Sequence, residues 1–580
     1  MHLTPGRSWH VFLTGGRFID CARTFRSATA LLSVLGGLAL LVGCHRNGPA
    51  AAAAVCTEDQ LLAFAPGKAE VASHRHFTVP TIRYPYGEKF PESSEDGNFR
   101  VTIKVDALGK VSCLDLDDRI GRAQPLTDAR RRTLAAVPGW RYAPFTQDGH
   151  AVGAIVVEEI TEEKLPSRHV TLPDVPLSQV RISLQRSHCY GTCPAYSVEV
   201  RGDGSAIYNG GDYVGVEGEH RYVVPVEAVA RLVDQLRSGD LWSLEPEYRA
   251  GVTDNPTFVV TMDMGGQVHK ILDYVGRWVG MPAAVVDFEE SIDRVGRSNE
   301  WLHISEFALQ RLKAEGFGFH TDEGVALLAR AVTDEESHND AAIQQLIELG
   351  VPVNTDMSPQ TSHALGSGSI LDEALRHQHG DLVDPLIARG QLKDHGQTSQ
   401  LKLDRAFRAA IAGGRLAPVE TLWNAGGPGQ RPSLWFDDAT DDLKPKHKQA
   451  PVTLSLGRSY FQKDNWEGMA IAQWLAARGC DLKATGVDGR TLLHIAADAG
   501  DAAMVRYLLG QGLSVSTPGR FGLPALGSAH DEDVVLALLE AGSDLASVER
   551  DGYSLRKQAV DQHWMHVAQW LDTHHVWWKR

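Results

Sequence analysis

Hydrophobic and polar positions divide the 580-residue chain into regions with different periods. From Ala28 to Leu41 the chain is uncharged and mostly apolar, behind Arg23 and Arg26. About fourteen residues is short of the roughly twenty needed to span a bilayer as a helix and fits the core of a secretory signal. Residues 45–55, with an alanine run, have no apolar face and read as a tether. Next, alternation with period two over Phe99–Val105, a turn at Leu108-Gly109-Lys110 and a return over Val111–Leu116 predict a hairpin. Thr127 opens a helix through Leu134 and Ala136, Pro138-Gly139 ends it, and Asp148-Gly149 turns into a strand over Ala151–Ile160. Residues 164–178, with Pro166, Pro173 and Pro176 among charges, read as a semi-rigid linker.

The following stretch is rich in short strands: Val180–Leu184, Tyr196–Val200, Ser205–Tyr208, Tyr222–Val224, Thr257–Met262 and Val268–Leu272. Val226–Leu236 and Ala283–Val295 have apolar residues at three and four spacing and predict helices. A helix over Leu302–Gly318 then leads into a region where the period lengthens to tens of residues. Unit ends recur at Gly350, Gly390, Gly426, Gly479, Gly512 and Gly542, and Gln430–Trp466 interrupts them as an insertion. A last half-unit over Asp551–Leu571, followed by Trp577 and Trp578, is expected to cap the stack, with Trp564 and Trp570 inside it. The expected organisation is a signal at 1–43, a tether and entry segment at 44–80, and a small α/β domain at 81–163. After the linker at 164–178 come a β-rich α+β domain at 179–301, a connecting helix at 302–318 and an all-α repeat solenoid at 319–580.

Four sets of residues resemble known families. Leu41-Val42-Gly43-Cys44 resembles the lipobox of bacterial lipoproteins, which implies lipid on Cys44, cleavage before it and a cell-envelope location. His45 after that cysteine points to the outer membrane, facing the periplasm. Tyr84-Pro85, Gly109-Lys110-Val111 and Trp140 to Pro144 resemble the C-terminal domain of TonB-type energy transducers. That resemblance implies a fold more than an activity; the inner-membrane helix and long proline-rich reach of a transducer are not read in this sequence. Cys189-Tyr190-Gly191-Thr192-Cys193-Pro194 resembles the signature of an uncharacterised bacterial domain of unknown function. Asp488 to Gly500, continuing through Met504–Leu509 and Gly512, resembles the ankyrin repeat, with leucine in the usual proline place. The repeat implies stacked helix pairs whose turn tips bind a protein partner, here Asp488, Gly489 and Arg490.

Charge narrows the partners. The net charge is −16, and removing a signal that carries net +3 leaves −19, which disfavours nucleic acid and anionic lipid surfaces. In the oxidising compartment that the lipobox implies, Cys189 with Cys193 and Cys56 with Cys113 are the disulfide candidates. Cys480 reads as a buried free thiol.

The sharpest chemical alternative is a thiol-redox or metal-handling site at Cys189 and Cys193 beside His188, but the spacing and strand context differ from a C-x-x-C at a helix start. His494 resembles the repeat's structural histidine. His74-Arg75-His76, His377-Gln378-His379 and His574-His575 read as solvated, as do the acidic runs Glu158-Glu159, Glu162-Glu163 and Asp334-Glu335-Glu336. No catalytic residue, metal ligand or cofactor is assigned. The reading is a non-enzymatic envelope adaptor, with redox or metal handling and TonB-like energy transduction as alternatives.

Overall fold

The structure, a computed structural model, describes residues 54–56, 71–90, 98–116, 126–147, 149–334, 336–353, 369–427, 436–437, 448–449, 466–483, 489–519, 522–547, 554–562 and 564–574. The first folded region is a five-stranded sheet built from β1 (Ala54–Val55), β2 (Ile82–Pro85), β3 (Asn98–Val105), β4 (Val111–Leu116) and β7 (Ala154–Leu165), in the order β1-β4-β3-β7-β2. A separate small hairpin pairs β5 (Phe145–Gln147) with β6 (His150–Val152). Thr127 caps helix α1 (Asp128–Ala136) by accepting from the Arg130 N–H, which satisfies one of the orphan donors of the first turn. Phe99, Val101, Ile103, Val156 and Ile160 form the core between helix and sheet.

Strand β7 starts three residues later than expected and runs five residues further, to Leu165. Its period of two sends Ala154, Val156, Glu158, Ile160 and Glu162 inward, so the expectation that both glutamate pairs are solvated is corrected. Glu162, fully buried, holds the Arg130 guanidinium through both oxygens and accepts from the Tyr84 hydroxyl at 2.7 Å. Glu158 accepts from the Tyr142 hydroxyl at 3.0 Å and faces Arg75 at 3.6 Å. Ionised groups survive such burial only with every partner in place.

Residues 164–178 are pinned rather than swinging free. The Lys164 N–H donates to the Gly280 carbonyl at 2.7 Å, and the Val170 N–H donates to Ser243 Oγ at 2.7 Å. Leu172, Val175 and Leu177 pack on the next domain's core. Proline lacks a donor N–H but does not prevent the apolar residues between prolines from docking, which is why composition alone reads this stretch as a linker.

The middle region is a seven-stranded sheet of β8 (Val180–Arg186), β9 (Tyr196–Arg201), β10 (Ser205–Gly210), β11 (Gly218–Val223), β12 (Glu247–Arg249), β13 (Phe258–Met264) and β14 (Gln267–Tyr274). The order is β11-β10-β9-β8-β13-β14-β12, antiparallel except for β12 beside β14. Helices α2 (Val226–Ser238) and α3 (Ala283–Gly296) pack against each other, and α3 lies across β8, β9 and β10. The expected connecting helix over Leu302–Gly318 is shorter, α5 (Glu306–Glu315), capped by the Ser305 hydroxyl and preceded by the short helix α4 (Asn299–Leu302).

Beyond it the described residues are mostly helical, with two short hairpins, Lys393–Asp394 with Gln397–Thr398 and Phe436–Asp437 with Lys448–Gln449. α6 (Asp322–Val332), α7 (Asp340–Glu348), α8 (Ile370–Arg376), α9 (Gly380–Ala388), α10 (Gln400–Gly413) and α11 (Leu416–Asn424) precede the insertion. α12 (Gly468–Ala477), α13 (Leu492–Asp498), α14 (Ala502–Gly510), α15 (Glu532–Glu540), α16 (Leu555–Asp561) and α17 (Met565–Thr573) follow it. All six glycines read as unit ends lie at positive φ, from 80° to 101°. In each, the residue after the glycine donates its N–H to a leucine carbonyl five residues back, Leu346, Leu386, Leu422, Leu475, Leu508 or Leu538, and each of those leucines is fully buried. This is the Schellman closure, in which a left-handed glycine lets the chain satisfy the helix's last carbonyls. Among the described residues no helix is long and apolar enough to cross a membrane.

Candidate functional site

Three loops meet at one end of the seven-stranded sheet. Residues 187–195 join β8 to β9, residues 211–217 join β10 to β11, and residues 250–257 precede β13. The Ser187 N–H donates to Thr257 O at 2.9 Å, Ala195 N–H to Asp212 O at 2.9 Å, and Gly211 N–H to Ala195 O at 2.8 Å. Cys189 and Cys193 are disulfide-bonded across the tip of the first loop. Their setting between two strands lacks the helix N-terminus that lowers a thiol pKa in redox motifs. The constraint leaves the Tyr190 side chain 88% exposed, while Tyr213, at φ 57°, is 57% exposed on the adjoining loop. Met262 and Met264, the thioethers nearest in kind to a soft-metal ligand, are buried in the core of β13. Among the described residues no three His, Cys, Asp or Glu side chains gather as a metal-ligand set.

Under these loops the last inward row of the sheet is Asp273, Phe258, Arg186 and Tyr196, set by the pairing of β14, β13, β8 and β9. The loop with the Cys-Tyr-Gly-x-Cys-Pro pattern therefore joins two residues of that row, Arg186 and Tyr196. Helix α3 brings Glu289 and Asp293 to it. Tyr196 donates to Asp293 Oδ2 at 2.8 Å, and Arg186 lies over the Phe258 ring at 5.2 Å. Glu289 Oε1, Arg186 Nε and the Tyr208 hydroxyl are buried without a hydrogen-bond partner. Burial, followed by the neighbouring carboxylates Asp273, Asp293 and Glu290, pushes the Glu289 carboxyl up to about 9. Burial also raises Asp293, outweighing the Ser298 and Tyr196 hydrogen bonds and the Arg186 charge, and raises Asp273. Glu289 and Asp293 were missed in the sequence. Their signal was there: two carboxylates at i and i+4 breaking into the stripe Val285, Phe288, Ile292.

In the repeat region, Gly489 and Arg490 are half-buried against Pro518 and Gly519 of the following turn, so they join neighbouring units. Asp488 lies outside the described residues. His494 is buried: its Nδ1 accepts from the Thr491 N–H at 3.1 Å, which leaves Nε2 to donate to Leu523 O at 3.2 Å. That histidine thus closes its own helix start and ties one unit to the next. Other histidines depart from the solvated expectation. His379 is fully buried, with Asp340 and the Val332 carbonyl on its two nitrogens, and His74 and His574 stack on Phe145 and Trp570. Asp334, also read as solvated, pairs with His303 at 2.6 Å.

The remaining predicted sites are placed as follows. Cys56 and Cys113 are disulfide-bonded and join the tether end, β1, to β4. Cys480 is a buried free thiol that occupies the residue after Gly479, where the closure places a side chain against the core. Burial raises its thiol pKa. Cys44, Trp577, Trp578 and most of the insertion lie outside the described residues.

Residues 465–548 match the family model described as ankyrin repeats (3 copies), and residues 180–296 match a domain of unknown function (DUF6438). No curated protein matches. Among solved structures, the chain is similar to the crystal structure of human ASB11 ankyrin repeat domain at 19% identity, over 40% of this chain and 95% of that one, with a TM-score of 0.27. The protein is thus multidomain, with a β-rich middle region and a helical C-terminal region containing ankyrin repeats, a fold that serves in general as a protein-binding scaffold.

Proposed function

We propose that this protein is a lipid-anchored, non-enzymatic adaptor of the bacterial cell envelope that holds a protein partner on its ankyrin repeats. The observation that carries the reading is the ankyrin match over residues 465–548. The stacked units keep their core in buried leucines and glycine closures, so exposed turn and helix residues are free to vary for recognition. The lipobox-like residues ending at Cys44 support an anchor, and His45 supports the outer membrane.

The first sheet with the helix α1 packed on it supports the resemblance to the TonB C-terminal domain as a fold reused for positioning. The Cys56–Cys113 disulfide fastens the tether to the edge of that sheet. Only about ten residues then separate Cys44 from β1, a reach of about 35 Å at full extension.

Two measurements test this. Replacing Cys44→Ser is expected to move the protein from the outer-membrane fraction to the soluble periplasmic one; a variant that stays in the membrane rejects the anchor. Residues 180–580 used as bait are expected to capture an envelope protein that a bait with scrambled turn-tip residues does not. Equal capture by both baits rejects recognition by the array.

A further inference from the structure

We propose that the turn between α6 and α7 is a proton-operated latch, closed by His303 from the middle-domain side and loosened as pH rises. The latch depends neither on the anchor nor on a partner for the repeats.

The surroundings of the ring are the first observation. His303 follows α4, and its side chain is 17% exposed. Its Nδ1 lies 2.6 Å from Oδ2 of Asp334, just beyond α6, and its Nε2 lies 3.8 Å from Glu336 Oε2. Both nitrogens thus face carboxylate oxygens, which accept and do not donate. A neutral imidazole has one N–H and one lone pair, so only the protonated ring suits both sides. The carboxylate is also aimed. Asp334 Oδ1 accepts from the Glu336 N–H at 3.1 Å and the Ser337 N–H at 3.2 Å, which leaves Oδ2 for the ring. Burial opposes charge on His303, but the Asp334 hydrogen bond and charge, with the Glu336 charge, outweigh it and raise its pKa above the ordinary 6.5.

Repetition along the seam is the second observation. His220, on β11, sets Nδ1 2.8 Å from Glu315 on α5 and donates from Nε2 to Glu217 O at 3.0 Å, with its ring stacked on Trp301 at 4.5 Å. His379, fully buried ahead of α9, donates from Nε2 to Val332 O at the end of α6 and turns Nδ1 to Asp340 at the start of α7. His338, in the turn itself, packs beside that ring at 4.8 Å. The turn is therefore gripped by a histidine from each side. In all three places Nδ1 meets a carboxylate and Nε2 meets an oxygen as well.

What surrounds the latch is the third. Asn339 Nδ2 donates to Ile304 O at 3.1 Å, Arg330 donates to Gly215 O at 3.1 Å and pairs with Glu217 at 3.2 Å, and Arg311 stands 4.0 Å from Glu315. These contacts keep the first helix pair attached when His303 is neutral, so pH sets how tightly the turn is held. The sign follows from the raised pKa: the folded state keeps a proton that the unfolded chain releases. The contribution of His303 is full below about 6.5 and is lost as pH rises through the higher folded value.

The test uses the full chain and two hydrogen-exchange readouts by mass spectrometry. Exchange at the imidazole C2 hydrogen, followed against pH, reads the titration of His303 itself, which is expected above the ordinary value. Amide exchange, corrected for its intrinsic pH dependence, reads the latch. Amides of α6 and α7 are expected to exchange about tenfold faster at about pH 8.5 than at about pH 6. His303→Gln should exchange fast at both, so that its pH dependence disappears. Asp334→Asn with Glu336→Gln keeps the ring and should return its titration to the ordinary value or below. His169→Gln removes an exposed histidine paired with Asp240 and should leave the profile unchanged. The ring titration is read in the unaltered chain, so the decision does not rest on a variant that fails to fold. A His303 titration at or below the ordinary value overturns the proposal. So does a pH dependence of α6 and α7 that persists in His303→Gln, which would assign the effect to other groups.

Discussion

Glu289 is 6% exposed, its Oε1 lacks a donor, and its nearest ionisable neighbours are other acids. Its folded pKa, about 9, lies above the ordinary value of 4.5. The folded state therefore keeps a proton that the unfolded chain releases, and stability falls as pH rises from about 4.5 to about 9. Glu289→Gln keeps the shape and removes the titration. It is expected to stabilise the protein at neutral pH by up to about 3 kcal/mol, with a gain that grows between pH 5 and 9 and disappears near pH 4. Urea denaturation at several pH values reads this directly, and a pH-independent difference would reject the assignment. Retaining so costly a residue fits a site tuned for something other than stability. Reading charges as solvated failed at Glu162 for one reason. The partners that permit burial, Arg130 and Tyr84, lie 32 and 78 residues away in sequence, and local pattern does not carry that information.

Helix ends were legible where strand lengths were not. The glycine that closes each repeat acts within six residues of chain, so its signal is entirely local. Strand β7 extends past Ile160 because β2 pairs alongside Glu162 to Leu165, a contact across about eighty residues. The glycines give a paired prediction. Gly512 closes α14 at φ 80°, with only the flexible end of Lys483 near the position of an added Cβ, at 3.5 Å. Gly510 ends the same helix, with nothing within 4 Å. Gly512→Ala should destabilise by about 1 kcal/mol through forced left-handed backbone. Gly510→Ala should stabilise by about 0.5 to 1 kcal/mol by restricting the unfolded chain. Shifts of opposite sign in the urea midpoint, at unchanged slope, are the expected result. Two shifts of the same sign would mean that the closure does not set the backbone there.

At the scale of the molecule, the boundary read at 301–319 is where the two regions are joined most tightly. One continuous buried cluster runs from the middle sheet through Trp301, Leu309 and Leu312 into Leu328, Leu346 and the later repeats. Polar contacts reinforce it: Arg311 donates to Arg221 O at 2.6 Å, and His220 meets Glu315 at 2.8 Å. A solenoid needs a cap because its terminal unit otherwise exposes the apolar face that its neighbour would cover. In this chain α5, the 211–217 loop and the residues after α4 meet α6 and α7, so the middle domain is expected to serve as the N-terminal cap of the array. Sequence periodicity could not reveal this, since a sheet domain has no repeat signature to match. The prediction is that residues 319–580 expressed alone lose the cap, bind the dye ANS and elute as soluble aggregate. Residues 180–580 are expected to elute as a single species and melt in one transition spanning both regions. The contact surface includes several fully buried leucine-sized side chains, each worth about 1.5 to 3 kcal/mol when covered. Its loss should therefore lower the melting temperature of the short fragment by many degrees. If both fragments melt at the same temperature and the short one stays monomeric, the array caps itself and the boundary lies where the sequence alone puts it.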